Sequence, residues 1–87
     1  MNVKILGSGC PSCRSMYNDV TRVIARNAWK IEVEYVQDLE RIMAYGVMAT
    51  PALVIDEKVV MVGHRGSSKI ELMLRDAINS QVSKQKN

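Results

Sequence analysis

The sequence of 87 residues predicts one α/β domain in which a four-stranded mixed sheet is flanked by helices on both faces. Short apolar runs at 2–6 and 52–55 have the length and composition of buried strands. Apolar residues recur at helical spacing over about 11–28 and 68–82. The predicted elements follow one another in the order β-α-β-α-β-β-α, with no repeat and no internal linker.

The first half of the chain is expected to form a strand, a helix and a second strand. The strand at 2–6 ends at a glycine-rich turn, 7–9, and the helix that follows extends to about residue 28. Over 31–35, apolar residues alternate with glutamates. This alternation predicts a strand with one solvated face.

A short second helix is expected after this strand. Asp38 has the residue type and position of an N-cap, and Gly46 is expected to end the helix. This helix carries the apolar residues Leu39, Ile42 and Met43, which lie three and four positions apart.

The last part of the chain is expected to form a β-hairpin and a third helix. The strands at 52–55 and 59–62 are joined by a polar turn at 56–58. Ser68 and Glu71 have the spacing of a capping box, which predicts the start of the third helix.

The connections between the elements predict the order of the strands. Right-handed crossovers place the first strand at the centre of the sheet, parallel to its neighbours, and the hairpin adds an antiparallel edge strand. The ordered domain is expected to span residues 1–82, followed by a polar, disordered tail at 83–87.

The two cysteines of the chain, Cys10 and Cys13, lie between the first strand and the first helix. A residue before proline avoids helical geometry, whereas proline suits the first helical position, so Cys10 is predicted to be the N-cap and Pro11 the first residue of the helix. An N-cap sulfur accepts hydrogen bonds from the backbone amides of Ser12 and Cys13 and lies at the positive end of the helix dipole, which favours the thiolate. Residues three apart can be bridged after a small adjustment, and the pair is therefore predicted to be a reversible dithiol.

Composition excludes several classes of function. The net charge of +3 is mild, the basic residues are spread along the chain, and aromatic residues are few, so we expect no nucleic-acid partner. No apolar run is long enough to cross a membrane and the first residues lack a secretion leader, which predicts a cytoplasmic monomer. In that reducing compartment, a lone Cys-x-x-Cys is more often catalytic or metal-binding than a structural crosslink.

Three features together resemble the thioredoxin superfamily: the Cys-x-x-Cys after the first strand, the order of the elements, and Thr50-Pro51 just before the third strand. Within it, the chain is similar to small archaeal and bacterial glutaredoxin-like proteins with a redox-active disulfide. The similar segments are 7–13, 49–56 and 62–66, and the resemblance covers about residues 1–80. It implies that 1–82 is a thioredoxin-like domain.

The resemblance implies a thiol–disulfide oxidoreductase that acts on disulfide-containing proteins. Cys10 matches the attacking cysteine, Cys13 the resolving cysteine, and Pro51 the cis-proline that faces their disulfide. The backbone of Thr50 is expected to pair with an extended substrate segment. The remaining expected substrate contacts are Pro11, Ser12 and Gly63. The family needs no cofactor within the chain, and a separate thioredoxin reductase or another dithiol donor supplies the electrons.

Some family features have no match in this sequence. The segment before Cys10 has no tryptophan, and no residue matches the buried acid that assists proton transfer in thioredoxins. The residues that hold glutathione in glutaredoxins are also absent. The motif leaves the reduction potential open over about −270 to −120 mV.

The main alternative is a metal carrier or chaperone that binds zinc or copper through the cysteine pair, since two thiolates at this spacing suit Zn²⁺ or Cu(I). His64 is the remaining soft ligand of the chain, although a loop position needs no metal to explain it. Heavy-metal-binding domains with a similar cysteine motif follow the order β-α-β-β-α-β and lack the Thr-Pro segment. Met48 is expected either at an apolar rim for substrate or in the core.

Overall fold

The computed structural model describes the backbone of residues 1–86 and the side chains of residues 1–80. The elements are β1 (Asn2–Leu6), α1 (Pro11–Arg26), β2 (Glu32–Val36), α2 (Leu39–Ala44), β3 (Ala52–Ile55), β4 (Lys58–Val62) and α3 (Ser67–Lys86). This order confirms the predicted β-α-β-α-β-β-α sequence and the α/β class. Within the described part of the chain, no helix combines the length and the apolar character that crossing a membrane requires.

The four strands form one mixed sheet in the order β2-β1-β3-β4. The prediction that β1 lies at the centre is confirmed. The prediction that it runs parallel to its neighbours holds for β2 only, because β1 and β3 are antiparallel. The hairpin strands β3 and β4 are antiparallel, as expected, and their register shifts between Leu53 and Val54.

The chain enters β3 at the edge of the sheet where β1 ends, and Leu6 pairs with Ala52. Between β2 and β3 it forms only the short helix α2, whose six residues rise about 9 Å along the helix axis.

Helices cover both faces of the sheet, as predicted. On one face α1 and α3 pack over the larger core, which includes Val3, Ile5, Met16, Val20, Leu53, Ile70 and Leu74. On the other face α2 covers a smaller core near the end of β1, formed by Leu6, Val36, Ile42, Val47, Ala52 and Val54. Both cores are apolar, so hydrophobic burial holds the helices on the sheet.

The caps of α2 were partly predictable. Asp38 is the N-cap, and its side chain accepts a hydrogen bond of 3.2 Å from the amide of Glu40. Of the three large apolar residues on this helix, only Ile42 is buried, and Leu39 and Met43 are each 64% exposed. The six residues of α2 therefore present only a narrow apolar stripe to the sheet.

The capping box predicted at the start of α3 does not form. The helix begins at Ser67, so Ser68 already lies inside its first turn. The carboxylate of Glu71 instead accepts hydrogen bonds from Asn27 Nδ2 at 2.8 Å and from Arg26 Nη2 at 3.0 Å, both at the end of α1. Glu71 therefore links α1 to α3.

The end of the chain was predicted to be a disordered tail at 83–87. The backbone of α3 extends to Lys86, and Asn87 lies outside the described residues. The domain boundary at residue 82 stays a prediction.

Candidate active site

The cysteine pair lies at the N-terminus of α1, after the turn that follows β1. Cys10 is the N-cap of α1, with an extended backbone at φ −67° and ψ 162°, and Pro11 opens the helix as predicted. The Cys10 sulfur accepts a hydrogen bond of 3.2 Å from the amide of Cys13, one of the two amides expected to donate to it. Cys10 and Cys13 form a disulfide, with their Cα atoms 5.0 Å apart.

The two sulfurs have unequal access to solvent. Cys10 is partly exposed, whereas Cys13 is fully buried at 0% exposure. Pro11 and Ser12 are exposed beside them, where a partner could reach both residues. This asymmetry fits an attacking sulfur at the surface and a resolving sulfur one helical turn inward.

Gly7 makes room for the inner sulfur at the end of β1. A Cβ atom at this position would lie 2.7 Å from both Cβ and Sγ of Cys13, closer than side chains approach one another. The same Cβ would lie 3.5 Å from Cε1 of Tyr35 on β2. From the sequence, Gly7 was predictable only as part of a turn, because its contact with Cys13 joins the end of β1 to the helix that follows.

The segment Thr50-Pro51 lies at the same edge of the sheet as the cysteines. The Thr50–Pro51 peptide bond is cis. Pro51 is buried and Thr50 is partly exposed. Because β1 and β3 are antiparallel and Leu6 pairs with Ala52, the segments that carry Cys10 and Pro51 both continue from this one edge.

The loop between β4 and α3 is hydrogen-bonded to the backbone of Pro51. The amide of Gly63 donates a hydrogen bond of 2.6 Å to the carbonyl oxygen of Pro51. Gly63 has φ +87°, a conformation in which a side chain is strained. Gly63 thus contacts Pro51 through its backbone. Its expected contact with substrate stays a prediction.

The same loop is held against α1 by His64. Its Nε2 atom lies 2.7 Å from Asp19 Oδ2, and both side chains are at most one-quarter exposed. The histidine considered as a third metal ligand is therefore engaged by α1. In the part of the chain that the structure describes, no three His, Cys, Asp or Glu side chains are grouped to hold a metal ion.

An apolar groove opens beside the cysteines. Its volume is about 350 Å³, and it is lined by Ser8, Leu39, Ile42, Met43, Val47, Met48 and Thr50. Met48 is fully exposed at the tip of the loop that precedes Thr50, so of its two expected positions it takes the apolar rim. Leu39 and Met43 were not predicted to belong to this surface, because their helical spacing is also that of core residues.

A second cavity lies along a different side of α2 and shares no lining residue with this groove. It is lined by Lys4, Arg41, Ala44, Tyr45 and Glu57. The Lys4 ammonium group hydrogen-bonds to Glu57 and to Tyr45, which raises its pKa, and the same contact with Lys4 lowers the pKa of Glu57. Lys4 and Glu57 thus neutralise each other, and Arg41 pairs with Glu34 on β2.

The fold and the site define a class of protein in which a cysteine pair at a helix N-terminus lies beside a proline that precedes a strand. A sequence profile of the thioredoxin domain matches residues 1–74, and the chain therefore belongs to the thioredoxin family. It is similar to a thioredoxin of Methanothermobacter thermautotrophicus, with 26% identity over 72 residues, which covers 83% of this chain and 92% of the relative. A thioredoxin of Methanocaldococcus jannaschii is 30% identical over 61 residues, which covers 70% of each chain.

Family membership agrees with the resemblance inferred from the sequence. The chain is a small thioredoxin-like protein with archaeal relatives and a disulfide-forming cysteine pair. These findings support a redox role of the thioredoxin type.

Proposed function

We propose that the protein is a thiol–disulfide oxidoreductase that exchanges its Cys10–Cys13 pair with disulfides of other proteins. The observation that carries this proposal is the unequal placement of the two sulfurs. One is accessible at the N-terminus of α1, and its disulfide partner is fully buried. This arrangement suits attack by the accessible Cys10 sulfur on an external disulfide, followed by attack of the buried Cys13 sulfur on the mixed disulfide.

The reaction starts from the reduced pair. The Cys10 thiolate attacks one sulfur of a substrate disulfide, so that a mixed disulfide forms and the other substrate sulfur leaves as a thiolate. The positive end of the α1 dipole and the Cys13 amide stabilise the Cys10 thiolate before the attack and when it leaves in the reverse step.

The second step releases the substrate. Cys13 loses its proton and attacks the Cys10 sulfur, the mixed disulfide breaks, and the Cys10–Cys13 disulfide forms. The departing substrate sulfur takes up a proton. Two electrons have then passed from the protein to the substrate disulfide.

The surroundings of the pair suit a protein substrate better than a small thiol. Thr50 precedes Pro51 at the partly exposed edge beside Cys10, where its backbone can pair with an extended substrate chain. The apolar groove lined by Leu39, Met43 and Met48 continues this surface. Pro11 and Ser12 complete the contact surface around Cys10.

The electrons for a new cycle come from outside the chain, in this proposal from a thioredoxin reductase or another dithiol donor. The curated relatives are named thioredoxins, which supports such a cycle here. A cytoplasmic site of action fits it, because a reducing compartment keeps the pair available as dithiol.

Reduction of insulin disulfides by the purified protein, with dithiothreitol as electron donor, tests this function. We expect wild-type protein to accelerate the reaction, Cys10→Ser to abolish it, and Cys13→Ser to accumulate a mixed disulfide with the substrate. Ser15→Ala, an exposed change on the same helix, serves as the control and leaves the rate unchanged.

A parallel titration of the reduced protein with Zn²⁺ and with Cu(I) tests the metal alternative. Tight stoichiometric metal binding combined with no insulin reduction would overturn the proposal in favour of a metal carrier. Equilibration in redox buffers gives a second check, because an exchange centre must show a dithiol–disulfide transition between about −270 and −120 mV.

A further inference from the structure

The hydroxyl group of Tyr35 is buried and, among the described residues, has no hydrogen-bond partner. Buried polar groups are nearly always hydrogen-bonded, so each exception calls for an explanation such as a role in catalysis. The ring itself is well packed, since it stacks on Tyr17 of α1 with centroids 5.2 Å apart and planes 19° apart. The packing needs only a ring, and phenylalanine would supply it.

Tyr35 lies beside the inner sulfur of the active site. The position of a Cβ on Gly7 would touch Cys13 Sγ on one side and Tyr35 Cε1 on the other. Tyr17, the stacking partner of Tyr35, follows Cys13 by four residues and so lies on the same side of α1. The phenol and the resolving sulfur therefore share one small space beneath the start of α1.

The proposed reaction requires a polar group in this space. Cys13 is fully buried, and burial disfavours the thiolate that must attack Cys10. Across residues 1–80 no charged residue is buried, so no buried acid can act on this thiol. Asp19, further along α1, is engaged by His64, whereas the ring of Tyr35 lies next to the Gly7 position that contacts the Cys13 sulfur.

We propose that Tyr35 donates a hydrogen bond from its hydroxyl group to the Cys13 sulfur in the reduced and mixed-disulfide states. This role rests on the proposed oxidoreductase function and assigns to Tyr35 the stabilisation of the resolving thiolate. A disulfide sulfur is a weak acceptor, which explains why the hydroxyl finds no partner among residues 1–80 in the oxidised form. A thiolate is a strong, charged acceptor.

The hydroxyl keeps its own proton throughout this step. Cys13 loses its proton to solvent, and the thiolate accepts the hydrogen bond from Tyr35. The thiolate then attacks the Cys10 sulfur, the bond from Cys10 to the substrate breaks, and the departing substrate sulfur takes up a proton. Tyr35 thus lowers the free energy needed to form the Cys13 thiolate and takes no part in the transfer of electrons.

The test is single turnover of the reduced protein with the aromatic disulfide dithiobis(nitrobenzoate). The first nitrothiobenzoate is released when Cys10 attacks and the second when Cys13 resolves the mixed disulfide, so the two steps are recorded separately. Tyr35→Phe keeps the ring and removes the hydroxyl. Tyr17→Phe is the matched control, because it removes the hydroxyl of the other ring in the same stack.

In Tyr35→Phe we expect an unchanged first phase and a second phase slowed about three- to tenfold near neutral pH. At alkaline pH the second phase of the variant should equal or exceed that of wild type, because its more basic thiolate is then fully formed and more nucleophilic. Tyr17→Phe should match wild type in both phases. A purely structural role for Tyr35 would slow the second phase at every pH and would not produce profiles that cross.

Superimposable pH profiles of the second phase in Tyr35→Phe and wild type would overturn the inference while leaving the oxidoreductase function intact. Titration of thiolate absorbance provides a second measurement in the Cys10→Ser background, where Cys13 is the only thiol. The Tyr35→Phe change should move that titration to higher pH, and an unmoved titration contradicts the inference. Loss of both phases in wild type would instead refute the proposed function.

Discussion

The main chain of Gly7 lies directly against the sulfur of Cys13. Any side chain at position 7 would begin 2.7 Å from this sulfur, and the neighbouring ring of Tyr35 closes the space from the other side. Cys13 is thus fixed by the end of β1 as well as by its own helix. Close packing of this kind leaves little room for even one added methyl group.

Replacement of Gly7 by alanine should destabilise the oxidised protein by about 1–3 kcal/mol, the usual cost of overpacking a core. It should also shift the dithiol–disulfide equilibrium, because the added methyl group displaces Cys13. Thermal unfolding and redox-buffer equilibration measure the two effects. In Gly46→Ala, the control, the backbone has φ +76° and no atom lies within 4 Å of the new Cβ. Gly46→Ala should lower stability without moving the redox equilibrium, and an unmoved equilibrium in Gly7→Ala would contradict this account.

The exposed methionines beside the active site should contribute to substrate binding. Changing Met43 and Met48 together to glutamine removes apolar area from the groove and should weaken binding of a protein substrate by about 1–2 kcal/mol, or roughly five- to thirtyfold in KM. Turnover of a small disulfide should stay the same, since it does not fill the groove. Leu72→Gln, which changes an exposed leucine on α3, is the control. Equal KM values for insulin in the double variant and wild type would exclude the groove from substrate binding.

The contact between His64 and Asp19 should hold the loop that supports Pro51. His64→Ala removes a partly buried hydrogen bond of 2.7 Å and should cost about 1 kcal/mol, which corresponds to a decrease of roughly 4–8 °C in Tm. The amide of Gly63 should exchange faster with solvent deuterium, since its bond to Pro51 depends on this loop. Arg65→Ala alters an exposed neighbour and should change neither quantity. If the Gly63 amide exchanges as slowly in His64→Ala as in wild type, the loop is held by other contacts.

Glu71 should make the link between α1 and α3 dependent on pH. Hydrogen bonds from Asn27 and the nearby positive charge of Arg26 lower the pKa of Glu71 below its ordinary value. A lowered pKa in the folded state stabilises the protein above the ordinary carboxyl pKa of about 4.3, and this contribution is lost as pH falls through the folded value. Glu71→Gln should therefore lower Tm at neutral pH and approach wild type in acid.

Asp76→Asn, an exposed change on the same helix, is the control for this pH dependence. Its difference in Tm from wild type should be small at neutral pH. A Tm difference for Glu71→Gln that stays constant from neutral to acidic pH would show that the charge of Glu71 does not act between the helices.

Local sequence rules predicted the outer half of the active site. The position of Pro11 identifies Cys10 as a helix N-cap, because a proline ring restricts both its own backbone and that of the preceding residue. The same rules identified Asp38 as the cap of α2. They failed at Ser68 and Glu71, since the carboxylate of Glu71 finds stronger partners on α1 than at the start of its own helix.

The alternation of elements and the apolar patterns of the sequence determined the α/β class, the central place of β1 and the helix that begins at the cysteine pair. Only the tertiary structure decided that β3 runs antiparallel to β1, which brings Pro51 to the edge where Cys10 lies. The tertiary structure likewise decided that Cys13 is buried against Gly7 and that the buried hydroxyl of Tyr35 meets no hydrogen-bond partner within the described side chains. The physical reason is that a pattern along the chain records the preferences of neighbours in sequence. Contacts between separate strands and helices arise only when these are packed together.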